Sequence, residues 1–304
     1  MPRVVFWNVE RLGEGTDPRV GGMVGWVIGY LMENADVSDA YLCEVTSDFE
    51  IVVGVNNTTT KQVPKHGYRQ RRSARRTMAQ LGYAHIRDGD EVPVVPTQVQ
   101  LRAHSEIFGV LPGGFAHNVA PIRHMVRHDR DIYVLHANSG KGGGAPLQII
   151  RAWVQIYYAT VGAQPVLFGD MNCEPRVLIE ERDRYITYLE SEFAKGSKLL
   201  VGGNALKQWN IAAAIEALKD MDIVDGGETF KVSNTYFQGK DVLKKTYDYA
   251  VTSRNNEVHV EAFDYRGIAE YQAEFTTKVM GGYTVGGTGC PSDHLPIVVS
   301  WGDV

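Results

Sequence analysis

Pro165-Val166-Leu167-Phe168-Gly169-Asp170-Met171-Asn172 is an apolar run of strand length that stops on a carboxylate, with an amide two residues further on. Val and Phe suit a pleated, buried strand, and Gly-Asp-x-Asn ends it with residues that favour turns. Five other stretches share this plan. Val4–Trp7 ends at Asn8, Ala40–Cys43 at Glu44 and Ile132–Leu135 at His136, while Asp248 precedes Tyr249–Val251 and Asp293-His294 precede Ile297–Ser300. If the first four strands run one way and the last two the other, these polar positions gather at one sheet edge. Strand ends there are rigid and loops leave room for a ligand. A single carboxylate after a strand is ordinarily a cap or turn residue, and a lone His an ordinary surface or core group. The repetition of position and type is what carries weight.

Helical periodicity lies between the strands. Val20–Asn34 places Val24, Val27, Ile28 and Leu31 on one face, and Ala145–Val161 does the same with Leu147, Ile150, Val154 and Tyr157. Ile211–Met221 is Ala-rich, Glu180–Phe193 is expected to be helical, and a further strand is expected at Ile107–Leu111. Strands interleaved with helices, without repeats or a linker, predict an α/β chain with one catalytic domain over residues 1–304.

The composition of 304 residues, 44% hydrophobic and 22% charged, excludes a disordered chain, and three cysteines exclude a disulfide scaffold. Nothing approaches the roughly twenty apolar residues that span a bilayer. Cys43, Cys173 and Cys290 lie near the polar positions but form no CxxC, so they read as small buried thiols. The polar set itself is rich in oxygen, poor in His and without Cys in ligand spacing. That donor chemistry suits Mg²⁺, with Mn²⁺ or Ca²⁺ as substitutes, rather than Zn²⁺. Two histidines beside such carboxylates make an acid–base site for phosphoryl transfer to water.

In order along the chain, Phe6-Trp7-Asn8, Leu42-Cys43-Glu44-Val45, Leu135-His136-Ala137-Asn138, Phe168-Gly169-Asp170-Met171-Asn172, Tyr247-Asp248-Tyr249 and Ser292-Asp293-His294-Leu295-Pro296 resemble the motifs of the endonuclease/exonuclease/phosphatase superfamily. Within it, His136-Ala137-Asn138-Ser139-Gly140 and Asp248-Tyr249-Ala250-Val251-Thr252 are most similar to the catalytic subunit of cytolethal distending toxins. The resemblance implies a deoxyribonuclease I-like four-layer α/β sandwich, two packed mixed β-sheets flanked by helices. It implies a metal set of Glu44, Asp293 and Asn8, and a catalytic set of His136, Asp170, Asn172, Asp248 and His294. His294 is then the general base, with Asp248 fixing its tautomer. Arg102, Arg123 and Asn138 fall where that subfamily contacts phosphate.

DNA is the substrate these features imply, with a phosphoinositide as the rival and a non-catalytic scaffold as a third reading. Net charge is −5, yet Arg69, Arg71, Arg72, Arg75 and Arg76 are concentrated in one segment. A run of that kind is either a solvated face or a contact surface for an anionic duplex. Delivery or binding subunits go with a toxin-like protein. Met1-Pro2-Arg3-Val4-Val5-Phe6-Trp7-Asn8 does not read as a secretory signal. The expectation is a cytoplasmic protein, one exported by a signal-less route, or a mature secreted toxin.

Overall fold

A computed structural model describes residues 1–10, 12–67, 82–89, 97–98, 122–127, 130–137, 144–160, 164–196, 200–201, 204–205, 208–229, 245–275 and 291–302. The chain divides into two compact units. One comprises Met1–Val95, Gly226–Asp248 and His259–Asp303, the other Pro96–Asp225, Tyr249–Val258 and Val304.

In the first unit a six-stranded sheet is built from β1 (Arg3–Asn8), β2 (Asp39–Val45), β5 (His66–Gly67), β6 (Gly82–Arg87), β15 (Val258–Ala262) and β16 (Ile297–Trp301), numbered along the whole chain. Their order is β15-β16-β1-β2-β6-β5. The β1/β2 pair is parallel and β16 is antiparallel to β1. A separate hairpin joins β3 (Phe49–Val53) to β4 (Thr59–Val63). The long helix of this unit, Pro18–Asn34, starts where Asp17 accepts the Arg19 N–H at 2.9 Å and Pro18 occupies the first turn. Its apolar stripe of Met23, Val24, Val27, Ile28 and Leu31 is buried with Val5, Trp7, Leu42 and Ile86 of the sheet. Gly25 is required at the contact with β3, because a Cβ there would sit 1.9 Å from the Val52 carbonyl oxygen.

The second unit holds a sheet of order β13-β14-β10-β9-β8-β7. Its strands are β7 (Thr97–Gln98), β8 (Ile122–Arg127), β9 (Arg130–His136), β10 (Val166–Asp170), β13 (Met221–Asp225) and β14 (Asp248–Ser253), and a short ladder pairs β11 (Leu200–Val201) with β12 (Asn204–Ala205). Helices Gly144–Ala159, Pro175–Ala194 and Gln208–Asp220 share one core with it, including Ile149, Trp153, Leu178, Leu189, Ala214 and Leu218 beside Leu135 and Leu167. Each such Leu or Ile side chain, fully buried, contributes about 1.5–3 kcal/mol relative to exposure. Trp153 is buried without penalty because its indole N–H donates to the Ala217 carbonyl at 2.8 Å.

The expected elements recur with small shifts. The helix expected at Glu180–Phe193 begins at Pro175, since Pro is well placed in a first turn. The helix expected at Ile211–Met221 ends at Asp220, and Met221 opens β13 instead. The strand expected at Ile107–Leu111 lies outside the described residues. Cys43 and Cys173 are buried thiols, as expected, and Cys290 lies outside the described residues.

Candidate functional site

In the first unit the polar strand ends do meet at one sheet edge. β1 and β2 run parallel to Asn8 and Glu44, and β16, entered through Asp293 and His294, is antiparallel to β1 with Phe6 opposite Ile297. Glu44 does not continue the ladder. Cys43 pairs with Tyr83 but Val45 pairs with Gly82, so Glu44 is the extra residue of a β-bulge and takes φ 61°. A bulge re-aims a side chain at a sheet margin, and a non-glycine residue in the left-handed region is held there by its surroundings.

Asn8, almost fully buried, ties this edge together. Its Nδ2 donates to Glu44 Oε1 at 3.3 Å and its Oδ1 accepts the Glu10 N–H at 3.1 Å. The turn leaves Glu10 at φ 46°. Burial, and then the charges of Asp293 and Glu44, push the Glu10 carboxyl above its ordinary range; His294 and the Asp293 N–H partly oppose them. Glu10 was not among the sequence candidates. The signal was its spacing, since Asn8-Val9-Glu10 repeats the plan of Asp170-Met171-Asn172 at the end of another strand.

His294 and Asp248 form a buried pair, with Nδ1 2.8 Å from Asp248 Oδ2 and side-chain exposures of 5% and 0%. The other ring nitrogen, Nε2, lies 3.8 Å from Asp293 Oδ1. Trp7 Nε1 donates to the His294 carbonyl at 2.9 Å. The Ser292 hydroxyl accepts the His294 N–H at 3.0 Å and donates to the Asn8 carbonyl at 2.6 Å. The backbone under the imidazole is therefore pinned to the end of β1.

In the second unit β9 and β10 are parallel, with Asp170 directly opposite His136. Asp170 Oδ1 accepts the Asn172 N–H at 2.9 Å, and Asn172 Nδ2 donates to the Ala137 carbonyl at 2.7 Å. The Ala137 N–H closes the loop onto the Asp170 carbonyl at 2.8 Å. His136 Nε2 stands 3.6 Å from Asp170 Oδ2, within ion-pair range but longer than a hydrogen bond. Asn172, at φ 48°, repeats the left-handed turn seen at Glu10. Gly169 has a structural duty: a Cβ on it would lie 1.8 Å from the Leu135 carbonyl oxygen of β9.

The expected residues thus fall in two groups, Asn8, Glu44, Asp248, Asp293 and His294 in one unit and His136, Asp170 and Asn172 in the other. Arg123 is on β8 opposite Val134, with nothing described of its side chain. Arg102, Asn138, Arg69, Arg71, Arg72, Arg75 and Arg76 lie outside the described residues. The negative charges of Asp293 and Glu44 both bear on the Glu10 carboxyl. Such an oxygen set, beside the Asn8 amide, fits a hard divalent cation.

No protein-family model matches the chain, and no curated protein is significantly similar to it. Solved structures do resemble it. The cytolethal distending toxin of Haemophilus ducreyi is 10% identical, over 98% of this chain and 97% of that one, with a TM-score of 0.51. That of Actinobacillus actinomycetemcomitans is 12% identical over 99% and 98%, at 0.49. A mannosyl-6-phosphatase from Bacteroides thetaiotaomicron is 14% identical over 99% and 100%, also at 0.49. At such identities the likeness is one of fold. It is the deoxyribonuclease I-like α/β fold that the motifs imply, and it extends over nearly the whole chain. No helix among the described residues is long and apolar enough to cross a membrane.

Proposed function

We propose that this chain is a divalent-metal-dependent phosphodiesterase that cleaves DNA internally. The observation that carries the reading is the buried His294–Asp248 pair, whose free-side Nε2 lies 3.8 Å from the Asp293 carboxylate. Asp248 accepts the Nδ1–H, which leaves the Nε2 lone pair as the base and stabilises the imidazolium when it forms. His294 takes a proton from water at Nε2, the water oxygen bonds to phosphorus, and the bond to the leaving deoxyribose oxygen breaks. Glu44 and Asp293, with Asn8 and Glu10 supporting them, would hold Mg²⁺ or a substitute cation. That ion supplies Lewis acidity and offsets charge on the phosphoryl oxygens.

The second group is assigned to the same reaction. His136 hydrogen-bonds the phosphate or protonates the leaving oxygen, and Asp170 orients water. Asn172 has one amide N–H engaged by Ala137 and a second to offer a phosphate oxygen. Arg102, Arg123 and Asn138 are assigned to substrate phosphate. Arg69, Arg71, Arg72, Arg75 and Arg76 support a duplex as the substrate, because clustered guanidinium groups bind phosphates and release counterions.

Nicking of supercoiled plasmid tests this. Cleavage should require added Mg²⁺, stop with EDTA, and disappear in both His294→Ala and His136→Gln. Phosphate release from a soluble inositide without nicking would replace the nuclease by a phosphatase. DNA binding without turnover under Mg²⁺, Mn²⁺ and Ca²⁺ would make the chain a scaffold.

A further inference from the structure

Thr229 is fully buried, and its polar groups are committed to the two segments that carry the His–Asp pair. Its N–H donates to the Lys245 carbonyl at 2.9 Å and its own carbonyl accepts the Leu295 N–H at 2.8 Å. Its hydroxyl oxygen accepts two backbone N–H groups, from Tyr247 at 3.2 Å and Asp248 at 3.1 Å. A hydroxyl oxygen has two lone pairs, so both are used on one dipeptide that ends at Asp248. Thr229 therefore grips Asp248 by its own N–H and His294 through the next residue.

We propose that Thr229 is a positioning residue of the hydrolytic site, holding the Asp248 carboxylate in register with the His294 imidazole. The inference rests on the role given above to that pair. A hydrogen bond of 2.8 Å between Nδ1 and Oδ2 tolerates little displacement of either backbone. Valine in place of Thr229 keeps the shape but removes the acceptor. The buried Asp248 N–H then lacks a partner and the dipeptide shifts to find one. Serine keeps the acceptor.

Steady-state plasmid nicking under saturating Mg²⁺ is the first readout. Thr229→Val should lower kcat about 10–100-fold, the range typical when a supporting hydrogen bond to a site residue is lost, with KM unchanged. Thr229→Ser should recover most of the loss. In an Asp248→Asn background Thr229→Val should add no further loss, because the group it positions no longer functions. The same factor in both backgrounds would reduce Thr229 to a general fold residue and overturn the proposal. A second readout needs no turnover: the downfield Nδ1–H proton resonance of His294, identified by its loss in His294→Ala. It should be present in wild type and Thr229→Ser and lost in Thr229→Val; its persistence in Thr229→Val overturns the proposal whatever the substrate. If that resonance behaves as expected while wild type nicks no DNA, the positioning stands and the nuclease reading fails.

Discussion

Glu44 shows how much a single residue of this site gives up in stability. It sits in the left-handed region on a bulge, and its charge helps raise the Glu10 carboxyl. Strained backbone of this kind costs on the order of 1–3 kcal/mol and tends to occur at functional positions. Glycine tolerates the same backbone freely, and the relief offsets the lost Asn8–Glu44 hydrogen bond, worth about 1.5–3 kcal/mol because its acceptor is a carboxylate. Glu44→Gly should therefore abolish metal-dependent activity yet leave the melting temperature in EDTA close to that of wild type. In wild type, Mg²⁺ at about a hundred times its Kd should add roughly 2.7 kcal/mol of stability by linkage. That increment should vanish in the glycine variant. Calorimetry with and without Mg²⁺ decides it, and a variant that melts well below wild type in EDTA defeats the strain argument. Cys173 makes a separate case. Burial pushes its thiol up to about 12, with Tyr249 Oη 3.2 Å from Sγ. Only thiolate reacts, so at pH 8 native Cys173 should resist iodoacetamide and label only in denaturant, as mass spectrometry would show. Labelling of the native protein at that residue would contradict the burial.

Among the elements, β10 carries the strictest demand. Gly169 lies opposite Leu135, and any Cβ would strike a backbone carbonyl that cannot rotate away. Gly169→Ala should cost about 3 kcal/mol or more and displace Asp170 from His136. Urea unfolding measures it, and a loss under about 1 kcal/mol would mean that β9 and β10 separate easily. The same element shows where sequence reading succeeds and where it stops. Val166–Asp170 was legible because an apolar run ending on Asp needs only local information, and the same holds for Asn8 and His136 at the ends of β1 and β9. The hairpin Phe49–Val53/Thr59–Val63 was missed because Val52 occupies an exposed position of an otherwise alternating strand, and its partner Thr59–Val63 is polar except for Val63. The bulge at Glu44 was invisible, since Asp39–Val45 reads as an uninterrupted strand and the extra residue is defined only by β6. Thr229 was equally hidden: its contacts to Asp248 and Leu295 are tertiary, and a threonine after a glutamate carries no local signal of them.

At the scale of the whole molecule, charge is the property that composition misstates. A net charge of −5 argues against a polyanionic substrate if it is taken as spread evenly. It is not: much of the acidity is spread over the chain, several carboxylates belong to the proposed metal set, where a bound cation would offset them, and arginines are concentrated between Arg69 and Arg76. Association with DNA depends on local phosphate contacts and the counterions they release, so the relevant quantity is a salt slope rather than a net charge. Replacing Arg71, Arg72 and Arg75 by Gln should reduce the dependence of log affinity on log salt by roughly 3, about 0.9 for each lost phosphate contact. Hydrolysis of bis(p-nitrophenyl) phosphate, which carries no duplex backbone for those arginines to contact, should keep its kcat and KM. Fluorescence anisotropy on a duplex between 50 and 200 mM salt, about the span over which phosphate-dominated binding weakens most visibly, reads the slope directly. An unchanged slope would assign the arginine run to a solvated face, and a parallel loss on the small substrate would assign it to the fold.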